Sequence, residues 1–350
     1  MARYSSDLER ERERETEKTH ARDLNSVLDR YKAIIEKGLS ETYRKDSWLS
    51  KAAMQALQAG GKRLRPLITL LVCEAISTSY EEALPVALCY ELAHSASLIQ
   101  DDIIDESSLR HSTPTAQKRY GLSRAILLSD SLIFEIFAQL ARYKDSKITR
   151  ERFGQLVGYV AQAAKLAADG EFMELALLSS ERNLSEADYL RTVALKTGAL
   201  FAAAAASGAV VAGAGEEITS LMYEFGEIFG VAFQIGDDIL DILGDTRTTG
   251  KPALKDVQNN SSNIVLTHAL SKADPMQRNV IGSLLFKKWF SAPEAERLRK
   301  TLRELGSLEY ASTLLSRQAA ESRGLLQKLP ESGAREALLE LTHTLEIRME

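Results

Sequence analysis

The chain has 350 residues, 45% of them hydrophobic and 27% charged, with a net charge of −5 at neutral pH. This composition supports a sizeable core and excludes wholesale disorder, and the lack of a large basic patch argues against a nucleic-acid partner. Cys73 and Cys89 are the only cysteines, too few for a disulfide framework or a zinc site, and read as buried thiols in a reducing, cytoplasmic compartment.

Residues 1–20 are dominated by charge (Glu9-Arg10-Glu11-Arg12-Glu13-Arg14-Glu15), the opposite of a signal peptide with an apolar centre. They are expected to be an appendage to one domain over residues 21–350. From there on, apolar residues recur with a period near three and a half, and no run of alternating β-branched residues interrupts them. The pattern predicts an all-α chain with helices near 20–38, 47–59, 66–78, 81–105, 123–143, 147–178, 185–213, 217–244, 263–272, 276–287, 292–305, 308–328 and 333–348. The uncharged stretch from Gly198 to Gly215 reaches the minimum length of a membrane span. Its alanine and glycine content is weak in transfer energy, so it is expected to be a close-packed helix, in the core or at a subunit interface. Gly244 to Ser262, rich in Thr, Asn, Gly and Asp, is the longest expected loop and suits a lid.

The polar residues that packing does not explain fall along this helical frame. Gly60-Gly61 opens into Lys62-Arg63-Leu64-Arg65-Pro66, three cations at a helix start whose backbone N–H groups are also unpaired, which makes an anion seat. Lys62 and Arg65, three apart, can point the same way. Two copies of one acidic cluster follow, Asp101-Asp102-Ile103-Ile104-Asp105 and Asp237-Asp238-Ile239-Leu240-Asp241. The first and fifth residues of each share a helix face and repel unless a cation lies between them. The plainer alternative is two solvated acidic helix ends. Buried carboxylates left unpaired are costly, so a divalent metal is the simplest partner. An all-oxygen set favours magnesium, an ion that keeps waters and is shared with substrate phosphates, so two facing clusters imply a diphosphate between metal-loaded walls. Arg110 and His111 stand just after the first cluster, Lys196-Thr197 interrupt an apolar helix, and Lys251 opens the expected lid. The Lys196 ammonium, between Ala194-Leu195 and an alanine-rich run, is costly unless an anion such as phosphate meets it.

The basic cluster at 60–66, the two aspartate clusters, Arg110 with Pro114-Thr115, Lys196-Thr197, Phe233-Gln234 and Gly250-Lys251 stand in the order and spacing of the trans-prenyl diphosphate synthases. The chain resembles that family, the farnesyl, geranylgeranyl and longer polyprenyl synthases, over roughly residues 45–270. The resemblance implies a single-domain helical bundle of the isoprenoid synthase type with a central cavity, commonly a homodimer. It also implies head-to-tail condensation of an allylic diphosphate with isopentenyl diphosphate. On the family's pattern Asp101, Asp105 and Asp237, with Asp102, Asp238 and Asp241, hold three magnesium ions against the allylic diphosphate, and Arg110, His111, Lys196 and Lys251 complete its clamp. Lys62, Arg65 and His94 hold the diphosphate of isopentenyl diphosphate; His94, two turns before Asp101 on the same face, also has a reading as a core histidine. Thr197 and Gln234 sit near the allylic cation.

The same resemblance makes the helix before Asp101 a wall of the product tunnel, with depth set by Ala96 and Ser97, then Ala93, then Tyr90. Each turn advances about 5.4 Å, comparable with one five-carbon unit. Small residues near the cluster and Tyr90 as the first floor predict products of geranylgeranyl to hexaprenyl length. Two departures from the family's pattern, His111 in place of an arginine and Ser261 in place of a lysine, predict either weaker diphosphate binding or a compensating role for Lys255 or another neighbour. A class I terpene cyclase and a regulatory prenyl-diphosphate-binding subunit are the competing readings. The repeated aspartate cluster and the second diphosphate seat favour the synthase over the cyclase.

Overall fold

The computed structural model describes residues 26–43, 46–58, 61–110, 113–179, 184–244, 254–259, 261–285, 287 and 290–347. The charged appendage at 1–20, His111 and Lys251 lie outside the described residues. Helices α1 (26–42), α2 (Trp48–Leu57), α3 (Leu64–Ser77) and α4 (Leu84–Ile104) lead to a short hairpin of β1 (Leu109–Arg110) and β2 (Thr113–Pro114). Then come α5 (Ala116–Tyr120), α6 (Leu122–Ala141), α7 (Arg150–Leu178), α8 (Glu186–Val193), α9 (Ala199–Ala212) and α10 (Glu216–Leu243). The chain ends in α11 (Lys255–Asn259), α12 (Ile264–Lys272), α13 (Pro275–Gly282), α14 (Ala292–Glu304), α15 (Ser307–Leu326) and α16 (Gly333–Ile347).

Side-chain caps set several of the helix starts. Ser47 and Thr149 accept from the backbone of the first turns of α2 and α7, and Ser185 with Asp188 forms a reciprocal capping box at α8. Such caps satisfy donors that the helix itself leaves unpaired. The antiparallel hairpin pairs Leu109 with Pro114 and Arg110 with Thr113. No periodicity predicts it, because two-residue strands are too short to show one.

Helix α9 is the axis of the molecule. Residues 199–211 are all buried, and α10, α3 and α7 pack around them, while α6 lies on α4 and α15 on α10. Close approach depends on missing side chains: a Cβ on Gly226 would lie 2.3 Å from the Phe201 carbonyl oxygen. Residues Glu186–Ala212 are long and apolar enough to cross a membrane by length and composition, yet 78% of the apolar window is buried inside the protein. The expectation of a core helix therefore holds for α9, and its burial removes it as a subunit interface.

Candidate active site

A cavity of about 2610 Å³ runs between α2, α3, α4, α6, α7 and α10. Its lining gathers Lys62, Arg65, His94, Asp101, Asp102, Asp105, Arg110, Lys196, Thr197, Gln234, Asp237 and Asp241. These residues come from distant stretches of the chain, and the bundle brings them to one space.

The basic cluster is divided by its backbone. Arg63 caps α3 with φ 53, a left-handed conformation that turns its side chain away from solvent. There it donates to Glu36 Oε1 at 2.8 Å, to Glu91 Oε1 at 2.5 Å and to the Leu57 carbonyl. Those bonds hold α1, α2 and α4 together, so Arg63 is a structural tie. Arg65 extends into the cavity with its guanidinium 4.3 Å from the Phe201 ring centroid. Its Nε is buried with no hydrogen-bond partner. Burial pulls its pKa down to about 10 against the opposing fields of Glu91 and Asp237. A half-buried guanidinium whose Nε is sealed off without a partner is stabilised by an anion.

The first aspartate cluster ends α4. Burial pushes Asp101 up to about 6; Lys196 and Arg110 oppose that rise while Glu171 and Asp105 add to it. Asp102 is buried and paired with Arg110, whose Nε donates to Oδ2 at 2.9 Å and Oδ1 at 3.1 Å. Asp105, at the end of α4, is exposed. Opposite, α10 presents Asp237 and Asp241 to the cavity.

Asp238 departs from its expected place among metal ligands. It is 0% exposed and absent from the cavity wall. Its Oδ2 accepts from Tyr189 Oη at 2.7 Å and from the Ile264 N–H at 2.9 Å, and its Oδ1 accepts from Gln234 Nε2 at 3.0 Å. Burial raises its pKa to about 7 in spite of those donors. Adjacent helical residues point about 100° apart, and on α10 it is Asp237 that lines the cavity while Asp238 turns toward Tyr189 and Ile264. The expected tunnel floor also moves. Tyr90 is buried against α9, bonded to the Ala203 carbonyl at 2.9 Å and Ser207 Oγ at 2.6 Å, and does not line the cavity. Ala93, Ala96 and Ser97 do line it, and the facing wall comes from Ile133 and Ile136 of α6 and Ala164, Ala167 and Ala168 of α7.

Lys196 and Thr197 sit on a π-helical turn, Ala194–Gly198, between α8 and α9. Such bulges redirect side chains at functional positions. The turn can approach α7 only because residue 170 is glycine, whose Cβ would lie 2.5 Å from the Lys196 nitrogen. Lys196 Nζ meets Glu174 Oε2 at 2.8 Å and pairs with Glu171. Burial pulls the Lys196 pKa down, but Glu174, Asp101 and Glu171 outweigh it and fix the side chain as an ammonium. Sequence reasoning missed these two glutamates, although Glu171 and Glu174, three apart beside a helical glycine, share a face. It also missed Asp256, whose N–H donates to Asp241 Oδ2 at 3.1 Å. Burial, with Asp241 and Asp238 adding to it, raises the Asp256 carboxyl well above its usual range.

Ser261 lines the cavity, and its N–H donates to the Asp256 carbonyl at 2.8 Å. Next to it, the Ser262 N–H donates to Glu174 Oε1 at 3.0 Å. Among the described residues no three acidic or histidine groups converge on one point as a complete metal site. The carboxylates of Asp101, Asp105, Asp237 and Asp241 nonetheless bring oxygen donors to the cavity, and burial outweighs Lys196 and Arg110 in raising the Asp101 pKa. Both features suit a hydrated magnesium ion completed by phosphate oxygens.

This all-α bundle gathers the carboxylates of α4 and α10 and the cations Arg65, Arg110 and Lys196 around one cavity, an arrangement suited to a diphosphate substrate. The comparisons agree. The family model for polyprenyl synthetase matches residues 46–302, and the chain belongs to that family. It is 37% identical over 284 residues to a geranylfarnesyl diphosphate synthase of Aeropyrum pernix, covering 81% of this chain and 88% of the relative. Its fold is similar to that of a geranylgeranyl pyrophosphate synthetase from Pyrococcus horikoshii, with a TM-score of 0.86, 27% identity and coverage of 93% and 99%. It is also similar to a polyprenyl synthase from Caulobacter crescentus solved with calcium and isoprenyl diphosphate, with a TM-score of 0.81, 28% identity and coverage of 93% and 97%.

Proposed function

We propose that the chain is a magnesium-dependent, all-trans prenyl diphosphate synthase that adds isopentenyl diphosphate to an allylic diphosphate and stops between twenty and thirty carbons. The observation that carries the reading is that Asp101 and Asp105 at the end of α4 and Asp237 and Asp241 of α10 line one cavity. These four carboxylates would hold magnesium, about three ions on the family's pattern, and the bound metal would neutralise the leaving pyrophosphate.

The chain's own residues bind and orient. Lys196, kept charged by its glutamates, and Arg110, braced by Asp102, complete the clamp on the allylic diphosphate; Arg65, Lys62 and His94 receive the second diphosphate at the start of α3. Ionisation breaks the allylic carbon–oxygen bond with the electron pair leaving on pyrophosphate. The alkene of isopentenyl diphosphate then attacks the cation, a carbon–carbon bond forms, and a proton is lost. Thr197 and Gln234 line the cavity, where their oxygens would stabilise the positive charge that develops. The apolar walls from Ala93, Ala96, Ile133 and Ala164 keep water from the cation.

The domain is taken as one unit over residues 21–350, cytoplasmic on the strength of two free buried cysteines. A homodimer through α6 and α7 is supported by exposed Leu127, Phe134, Phe137 and Phe172, the last 76% exposed, because apolar surface of this extent marks an interface. The test incubates the purified chain with labelled isopentenyl diphosphate and dimethylallyl, geranyl, farnesyl or geranylgeranyl diphosphate, with and without magnesium. Labelled products of twenty to thirty carbons that vanish with a chelator support the reading. Hydrocarbon released from the allylic substrate alone would overturn it in favour of a cyclase.

A further inference from the structure

A chain of side-chain hydrogen bonds runs from the core of the protein to the cavity, and nothing in the binding of metal or diphosphate requires it. Tyr189 of α8 is fully buried and donates its hydroxyl to Asp238 Oδ2 at 2.7 Å. The Ile264 N–H donates to the same oxygen at 2.9 Å. The Asp238 backbone is fixed as well, its carbonyl accepting from Asn263 Nδ2 at 3.2 Å. With Oδ2 committed to two donors, Oδ1 accepts from Gln234 Nε2 at 3.0 Å, and Gln234 Oε1 accepts from Thr197 Oγ1 at 3.1 Å. Gln234 and Thr197 line the cavity, whereas Asp238 and Tyr189 do not.

The order of donors and acceptors along this relay has a consequence. A primary amide can be turned over at little cost in shape, exchanging its oxygen for its nitrogen. Here a reversed Gln234 would set its carbonyl oxygen against a carboxylate oxygen, two acceptors facing one another in a buried site. The relay therefore locks the negative end of the Gln234 amide on the cavity side and keeps the positive NH₂ end away. In a reaction through a carbocation that orientation matters: an oxygen dipole fixed before reaction stabilises the charge, and an amide NH₂ in its place opposes it.

We infer that Tyr189 and Asp238 are positioning residues that lock Gln234, and through it Thr197, with their oxygens toward the allylic cation. The inference rests on the prenyl-transfer reading above. It assigns Asp238 a task different from that of its neighbour Asp237: Asp237 faces the cavity and its ligands, and Asp238 faces inward and orients an amide.

The experiment compares Tyr189→Phe, Asp238→Asn and Asp237→Asn in the full-length chain, measuring kcat, KM for both substrates, half-saturating magnesium and the fraction of allylic substrate released as alcohol. Asp238→Asn sets an NH₂ where Gln234 needs an acceptor, so kcat should fall about 100-fold, and Tyr189→Phe should lower it about 10-fold, the scale of one or two preorganised contacts. KM and half-saturating magnesium should stay within about twofold, while the alcohol fraction rises. Asp237→Asn should instead raise the magnesium requirement. A double-mutant cycle covers poor folding of Asp238→Asn: in a Gln234→Ala background, Tyr189→Phe should have no further effect on kcat. An Asp238→Asn variant that shifts magnesium as Asp237→Asn does, or a Tyr189→Phe effect that persists undiminished without Gln234, overturns the inference. Wild-type protein that incorporates no isopentenyl diphosphate would sink the underlying activity instead, and the two failures are distinct.

Discussion

Asp101 sits where burial and charge pull in opposite directions. Its carboxyl, ordinarily near 3.8, is pushed up to about 6 by burial, with Lys196 resisting. The folded state therefore holds this proton more tightly than the unfolded chain does. The stability contributed by Asp101 is present below its unfolded pKa and is lost as pH rises through about 6. A cation at the site reverses this, because it binds only the ionised form. Thermal denaturation with and without magnesium should show a larger metal-induced rise in Tm above pH 6 than below it, and a rise that is equal on both sides would argue against Asp101 as a ligand. At this scale the sequence was informative about residue type and weak about direction. The clusters announced themselves by being acidic in apolar helices, but only the rotation of α10 tells Asp237 from Asp238. Glu171, Glu174 and Asp256 went unnoticed because each is an ordinary acidic residue until folding buries it beside Lys196 or Asp241.

The elements were legible wherever hydrophobic period could act over several turns. Most of the long helices fall within a few residues of their expected places, while the start expected for the first, at residue 20, lies outside the described residues and the helix expected over 185–213 is interrupted by a π turn; the capping residues explain several of the starts. What periodicity cannot show is a local irregularity, and the π turn at Ala194–Gly198 is the one that matters. It depends on Gly170: Gly170→Ala should cost about 1–3 kcal/mol through the clash with the Lys196 backbone and should lower kcat at temperatures where the protein stays folded, as calorimetry and kinetics would show. The product tunnel is the second lesson. Counting turns back along α4 names Ala93, Ala96 and Ser97, which line the cavity, and Tyr90, which does not line it and bonds to α9 instead. Ala96→Phe should shorten the product by at least one five-carbon unit, whereas Tyr90→Phe should leave product length unchanged. Chromatography of the products decides, and a shorter or longer product from Tyr90→Phe would contradict the placement of that ring.

For the molecule as a whole, the helical class followed from composition and pattern and the central cavity from the family resemblance, while the close-packed helix at 198–215 was open between core and subunit interface until the packing of α9 placed it in the core. The exposed apolar face proposed as a dimer surface did not follow from pattern, because an apolar residue facing solvent and one facing the core look alike in sequence; Phe134 and Phe137 of α6 separate from their buried neighbours only once the helix is packed. Replacing both with glutamate should halve the mass seen by sedimentation if α6 carries the dimer, and an unchanged mass would move the interface elsewhere. The central claim is that α4 and α10 together grip one diphosphate through metal. The most direct measurement is a crystal structure with manganese in place of magnesium and an unreactive thio-analogue of an allylic diphosphate, read by anomalous scattering. The account predicts metal peaks bridging the diphosphate to Asp101 and Asp105 on one side and Asp237 on the other, with Asp238 still bonded to Tyr189 and Gln234. Metal held by one helix alone, or a diphosphate bound away from both, would contradict it.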